Sequence, residues 1–282
     1  MKRDELSLMI FPFGYDLMNG SLSMQDIFDL TASSNIRAVD VLGINRDMLP
    51  LCEAASRGSG VRVHCFIACV SFFQDAARIR ADLTEQMELA SALSAKLFMI
   101  VPYVNNDELA QAAAEGNART RERMADGFRT AVALGKTYGL PVCFETTPHD
   151  ETALSGTEDC AWVLDQVPGL GLVFDTANML PHGDETLAAY EALKDKIIYV
   201  HLKDVALSPM EPFDPMAEHT KDGQFMRGVV WGDGVIPVDE VVKRLRADGY
   251  EGLFAVEYAH PGIFTKEAHM AQIEKFMAYF GA

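Results

Sequence analysis

Residues 142–145 read Val142-Cys143-Phe144-Glu145, an apolar run closed by an acid. Three later runs follow the same plan: Leu172-Val173-Phe174-Asp175, Ile197-Ile198-Tyr199-Val200-His201 and Leu253-Phe254-Ala255-Val256-Glu257. Runs this short and this apolar, without polar alternation, read as strands buried on both faces, as in a parallel sheet covered by helices. If the four lie parallel, their C-terminal ends share one face, where two glutamates, an aspartate and a histidine converge. Oxygen and imidazole donors in that mixture suit one divalent cation, Mn²⁺ first, with Co²⁺, Mg²⁺ and Zn²⁺ as the other candidates. Taken singly, a terminal acid reads as a helix cap and a strand histidine as a satisfied core residue. Three carboxylates buried together without a cation would be severely unfavourable, so the set of four points to a metal.

Outward from these runs, strand-like and helix-like segments alternate along the whole chain. Strands are expected over 6–11, 36–42, 61–70, 96–102, 140–146, 170–175, 197–203 and 252–258. Helices are expected over 24–33, 46–57, 75–93, 118–138, 157–167, 185–194, 238–248 and 266–280. Eight strand–helix units imply a parallel sheet with right-handed crossovers. A chain of 282 residues, 49% hydrophobic, is long enough to close them into a (β/α)8 TIM barrel as a single α/β domain over residues 1–282. An open doubly wound sheet has less support, because no GxGxxG sequence opens a helix. Residues 205–234, with Pro209, Pro212, Pro215 and several glycines, read as one long irregular connection, of the kind that serves as a lid.

The formal net charge of −17 disfavours nucleic acid as a partner, since binding to phosphates needs clustered Lys and Arg. No apolar run approaches the roughly 20 residues of a membrane span, and Met1-Lys2-Arg3 is followed at once by Asp4 and Glu5, a poor signal peptide. The five cysteines (Cys52, Cys65, Cys69, Cys143, Cys160) include no CxxC pair and fit a reducing cytoplasm. Alternation puts Cys65 and Cys69 on one face, as two buried thiols rather than a metal pair.

Three ordered motifs, Phe174-Asp175-Thr176-Ala177-Asn178, Val200-His201-Leu202-Lys203-Asp204 and Gly232-Asp233-Gly234, are followed by Gly249-Tyr250-Glu251-Gly252 and Ala255-Val256-Glu257. Together they resemble the xylose-isomerase-like TIM-barrel superfamily, in its sugar phosphate isomerase/epimerase branch, over about residues 140–260. The resemblance implies that Glu145, Asp175, His201 and Glu257 hold one divalent metal. It also implies that Glu145 and Glu257 are the catalytic acid and base, exchanging a proton with substrate carbon through a metal-held cis-enediolate. The expected activity is that of a metal-dependent sugar isomerase or epimerase in carbohydrate metabolism. The alternative is a lyase, dehydrating a keto-sugar or keto-inositol through the same enolate. Homo-oligomers are common in the family.

Two positions depart from the ketose-epimerase pattern: Asn178 stands where those enzymes have a histidine, and Leu207 where they have an arginine. Asn178 can still hydrogen-bond a hydroxyl, Arg227 or Lys203 can supply the charge, and His182 can replace the imidazole. Strand alternation puts Lys203 on the interior side with His201, with an ion pair to Asp204 or a neighbouring acid as its plainer role. His149, just past Glu145, is the remaining substrate-binding candidate, so the binding set is Asn178, Lys203, His149 and Arg227. Trp231 could offer a stacking face or simply pack, His64 points towards the core, and His260 trails Glu257 as an outer support. An apurinic-site endonuclease on the same barrel would need more strand-end histidines and a basic face. A barrel that only binds a ligand would have to leave the four-residue cluster idle.

Overall fold

Period-two alternation divides the strand side chains between two compartments. The strands are β1 (Leu6–Met9), β2 (Ala38–Leu42), β3 (Arg62–Cys69), β4 (Leu97–Val101), β5 (Val142–Glu145), β6 (Gly171–Asp175), β7 (Ile197–Leu202), β8 (Val205–Ser208), β9 (Glu218–His219), β10 (Phe225–Gly228) and β11 (Phe254–Val256). They are seen in a computed structural model that describes residues 1–103, 105–210, 217–258 and 265–281. Eight of them close into a parallel barrel in the order β1-β11-β7-β6-β5-β4-β3-β2. Inward positions Met9, Cys65, Ile67, Met99, Cys143, Val173, Tyr199 and Ala255 form one buried cluster. Outward positions such as Phe144, Leu172, Phe174, Val200 and Phe254 join a second, larger cluster beneath the helices. The barrel wall is therefore apolar on both sides, which is why the strands read as unbroken apolar runs.

The covering helices are α1 (Gly14–Asn19), α2 (Met24–Ser33), α3 (Leu49–Ser59), α4 (Ala76–Ala92), α5 (Asn106–Glu115), α6 (Asn117–Tyr138), α7 (Thr157–Gln166), α8 (Thr186–Leu193), α9 (Val238–Ala247) and α10 (Lys266–Phe280). Local chemistry sets their ends. The Ser23 side chain accepts from the Asp26 amide, while the Asp26 carboxylate accepts from the Ser23 amide, so two orphan donors of α2 are satisfied reciprocally. Asp75 caps α4 through the Arg78 amide. α6 stops at Gly139, whose φ of +66° suits a residue without a Cβ. α6 also shows how helix and barrel cohere: Phe128 lies 5.1 Å from Phe144 on β5 and 5.0 Å from Phe72. Burying one such ring contributes about 2–3 kcal/mol.

The expected barrel strands and eight covering helices all form, with ends moved by up to three residues. Three features differ from expectation. α1 and α5 occupy stretches left unassigned; α5 follows an Asn105 cap and is rich in Ala, Glu and Gln, a legible helix signal. The connection over 205–234 is not irregular throughout. Its described residues form a three-stranded antiparallel sheet, β8-β10-β9, while 211–216 lie outside them. Cys69 is exposed at the end of β3, unlike Cys65, so the expected pair of buried thiols is half corrected. All five cysteines are free, and no helix among the described residues is long and apolar enough to cross a membrane.

Candidate metal centre

Along each run that carries a candidate ligand, an inward residue of the barrel interior comes first and the ligand candidate two positions later: Cys143 then Glu145, Val173 then Asp175, Tyr199 then His201, Ala255 then Glu257. The four polar side chains therefore lie one layer above the apolar barrel interior, at the C-terminal mouth. Register holds them level. Asp175 pairs with His201 and Ala255 with His201, and the Glu257 amide continues the ladder to the Leu202 carbonyl at 3.2 Å. One ligand atom from each of Glu145, Asp175, His201 and Glu257 lies within 4.8 Å of the others.

The donor set fits a cation because its atoms lack hydrogen-bond partners. Glu145 Oε1, Asp175 Oδ2, both nitrogens of His201 and Glu257 Oε2 are buried without a hydrogen bond. His201 Nδ1 stands 2.5 Å from Glu145 Oε1 and 3.2 Å from Glu257 Oε2, but neither approach has hydrogen-bond geometry. Buried polar atoms left unmatched in this way are costly, and a shared positive charge at their common focus would satisfy them. The other Asp175 oxygen is engaged: Oδ1 accepts from the amides of Ala177 and Asn178 at 2.7 and 2.8 Å, which fixes where Oδ2 points. Lys203 Nζ lies 2.6 Å from Glu257 Oε1 and 3.2 Å from Asp175 Oδ2. With His201 neutral, as a metal-ligating imidazole is, three carboxylates against this one ammonium leave two negative charges over, which suits a divalent ion.

Titration behaviour follows the same crowding. Burial, reinforced by Glu257 and Glu145, pushes Asp175 up to about 7 against the pull of Lys203. Burial would raise Glu257 as well, but Lys203 and His201 hold it at about 2. Burial opposes a charge on His201, yet the carboxylates of Glu145 and Glu257 outweigh it and keep its pKa well above the ordinary value.

Above this cluster opens a cavity of about 310 Å³. Glu145, Glu257, Lys203 and Asn178 reach it from below, Met9, Ile67 and Met99 give apolar walls, and Met226 and Gly228 of β10 roof it. Asn178 is buried: its Nδ2 donates to the Thr146 carbonyl at 2.8 Å, and its Oδ1 accepts from Lys203 Nζ at 3.2 Å. His149 lines the cavity, its ring edge-on to Tyr103 at 5.4 Å. Lys203 pairs with Asp175 and Glu257 rather than with Asp204.

Arg227 does not join them. Met226 turns inward on β10, so its neighbour Arg227 turns outward and is exposed, a correction to its expected substrate contact. His182 also lies off the cavity, bonded to Asp150 and, at 3.0 Å, to Lys221 Nζ. Trp231 is packing: it is buried against Phe276 at 4.7 Å and donates to the Leu202 carbonyl at 3.3 Å. His64 lies tilted against Tyr199, with ring centroids 4.9 Å apart, below the ligand layer, and His260 lies outside the described residues.

Two contributors had escaped notice, and a third was seen only as part of a motif. Tyr103 and Glu218 line the cavity. Asp204, fully buried, accepts from the amides of Gly232, Gly234, Val205 and Ile236 at 2.8–3.2 Å, so two motifs that are distant in sequence form one unit. A Cβ at Gly234 would lie 2.0 Å from Asp204 Oδ1, which explains the glycine. The sheet that follows docks through Lys221, whose Nζ is 3.3 Å from Asp150 Oδ1 and whose amide donates to the Pro181 carbonyl at 2.9 Å.

Known proteins resemble this chain in sequence or in fold. An inosose dehydratase of Bacillus anthracis (strain CDC 684 / NRRL 3495) is 33% identical over 144 residues, 48% of this chain and 46% of that protein, so the match spans about half the length of the relative. The probable 3-DHS dehydratase AsbF of Bacillus anthracis, involved in petrobactin synthesis, superposes with a TM-score of 0.72 at 16% identity, covering 96% of this chain and 98% of its own. The IolI protein with a bound zinc atom superposes with a TM-score of 0.71 at 16% identity, covering 97% and 96%. At those identities the likeness shows the fold alone. The model of the xylose isomerase-like TIM barrel matches residues 42–278, and the chain belongs to that family.

Proposed function

We propose that this protein is a metal-dependent enzyme that removes a proton from the carbon beside the carbonyl of a sugar-derived or inositol-derived ketone. The observation that carries this reading is the convergence of unmatched donor atoms from Glu145, Asp175, His201 and Glu257 at the floor of a cavity of small-molecule size. Those four residues would hold one divalent cation, manganese by preference, with zinc supported by the IolI likeness. When bound, the cation would polarise the substrate carbonyl and lower the cost of the negative charge that develops there.

The chain's own residues do the rest. Glu145 and Glu257 flank the cavity floor and serve as base and acid, one taking the proton from carbon and the other returning it. Lys203, tied to Asp175 and Glu257, keeps both carboxylates in place and presents its ammonium to the substrate oxygens. Asn178 steadies Lys203, and His149 meets the substrate hydroxyls. Apolar walls and the roof of β8–β10 exclude water from the reacting carbon.

Two fates follow from one proton abstraction. Reprotonation gives isomerisation or epimerisation; loss of a β-hydroxyl gives dehydration. The sequence likeness to inosose dehydratase supports the second fate over the first, which the motifs alone had put ahead. Solvent-deuterium exchange into ketoses and keto-inositols, with and without Mn²⁺, tests the common step. Exchange that needs both the metal and Glu257 is expected; exchange without metal refutes the reading. Product mass separates the fates: loss of water marks the lyase. Low Lys and Arg content, a net charge of −17 and five free thiols support a small-molecule enzyme of the cytoplasm rather than a nucleic-acid partner.

A further inference from the structure

The roof of the cavity carries chemistry that the proposed reaction does not use. Glu218 on β9 pairs with Met226 on β10, so both project from the same face of the small sheet into the cavity. Its Oε2 lies 3.8 Å from His149 Nδ1, and His149 in turn packs edge-on against Tyr103. Burial raises the Glu218 carboxyl above its usual range, although His149 and Lys203 pull the other way. None of these three residues belongs to the ligand cluster.

The distribution of positive charge is equally informative. Lys203 is the one lysine or arginine lining the cavity among the described residues, and Asp175 and Glu257 already hold its ammonium. Arg227, one position along β10 from Met226, faces outward. Residues 104, 211–216, 259–264 and 282 contain neither lysine nor arginine. Recognition of a phosphate or carboxylate ordinarily uses a guanidinium fork, a free ammonium or the N-terminus of a helix. A carboxylate on the roof opposes such an anion and accepts hydrogen bonds from hydroxyl groups.

We propose that Glu218, carried over the cavity by β8–β10 and seated beside His149, is a specificity-determining residue that selects uncharged polyhydroxy ketones. It accepts hydrogen bonds from hydroxyls on the part of the substrate remote from the ligand cluster, and it repels substrates that bear a phosphate or carboxylate there. This inference rests on the keto-polyol reading and narrows it to neutral substrates.

The test measures equilibrium binding of a keto-inositol and of its monophosphate to Mn²⁺-loaded wild type, Glu218→Gln and Glu218→Asp, by calorimetry. Wild type is expected to favour the neutral ligand by about 100-fold. Glu218→Gln should weaken the neutral ligand about tenfold and narrow the preference by at least that factor, whereas Glu218→Asp keeps it. Equal binding of both probes by wild type, or no binding of the neutral one, overturns the proposal. So does a Glu218→Gln variant that weakens both probes equally, since that marks mere support of the roof. Deuterium exchange is scored separately: selectivity without exchange sinks the reaction and spares Glu218, and exchange without selectivity does the reverse.

Discussion

Two polar clusters sit inside the same barrel, one layer apart, and they have opposite bookkeeping. In the lower one, buried Asp40 of β2 accepts from Ser7 Oγ at 2.7 Å and the Cys65 amide at 3.1 Å through one oxygen, and from Tyr199 OH at 2.7 Å through the other. In the upper one, five buried atoms of Glu145, Asp175, His201 and Glu257 have no hydrogen bond. Both clusters are carboxylates in an apolar tube, and burial pushes both Asp40 and Asp175 up. Acidity and burial therefore do not distinguish a site from a structural network. Saturation does: the lower acid is matched by donors of the protein on both oxygens, while each upper acid keeps one buried oxygen without a hydrogen bond.

This contrast can be broken by exchanging the two roles. His201→Ala should lower kcat/KM for metal-dependent turnover by about 10³-fold or more, about 4 kcal/mol, with weakened Mn²⁺ binding and a nearly unchanged unfolding midpoint without metal. Unaltered Mn²⁺ affinity by calorimetry would remove the upper cluster from the site. Asp40→Ala should do the opposite, costing about 3 kcal/mol of stability in denaturant unfolding, because Ser7, Tyr199 and the Cys65 amide lose their acceptor. Its Mn²⁺ affinity should stay within about threefold of wild type, since the ligand layer is untouched. Mn²⁺ at about 100 times its dissociation constant should stabilise wild type by about 2.7 kcal/mol, a thermal shift of several degrees that a chelator reverses and that His201→Ala lacks. Arg227→Ala, outside the cavity, should change kcat/KM less than about twofold. A larger loss there would mean that β10 presents its other face to the substrate.

The sequence carried the barrel unusually far because each strand is buried on both faces, so apolar runs stand out without any alternation to decode. Glu145, Asp175, His201 and Glu257 were legible only as a set: any one of them could be a cap or a core residue, but four such strand ends on one face of a barrel have few structural uses. The small sheet was not legible. Its strands have two to four residues, and its pairing joins Phe225 to Ser208 across the intervening prolines, so no local pattern announces it. Arg227 was misplaced with it, because inward and outward positions have no meaning until a strand is recognised. Glu218 was hidden in the same way. Asp204 was visible as part of a motif, but its work is to receive four backbone amides, three of them about thirty residues away, and no side-chain pattern reports that.

The Asp204 knot has a consequence for how such barrels diversify. The excursion leaves at Val205 and returns at Val235, where the Val235 amide donates to the Val205 carbonyl at 2.8 Å, so its two stems are fastened to each other before any of the intervening chain is considered. What lies between is a cassette on a closed clasp. A change of length within it is therefore expected to disturb β7 least, and the proposed Glu218 contact lies inside it while the four-residue cluster lies outside.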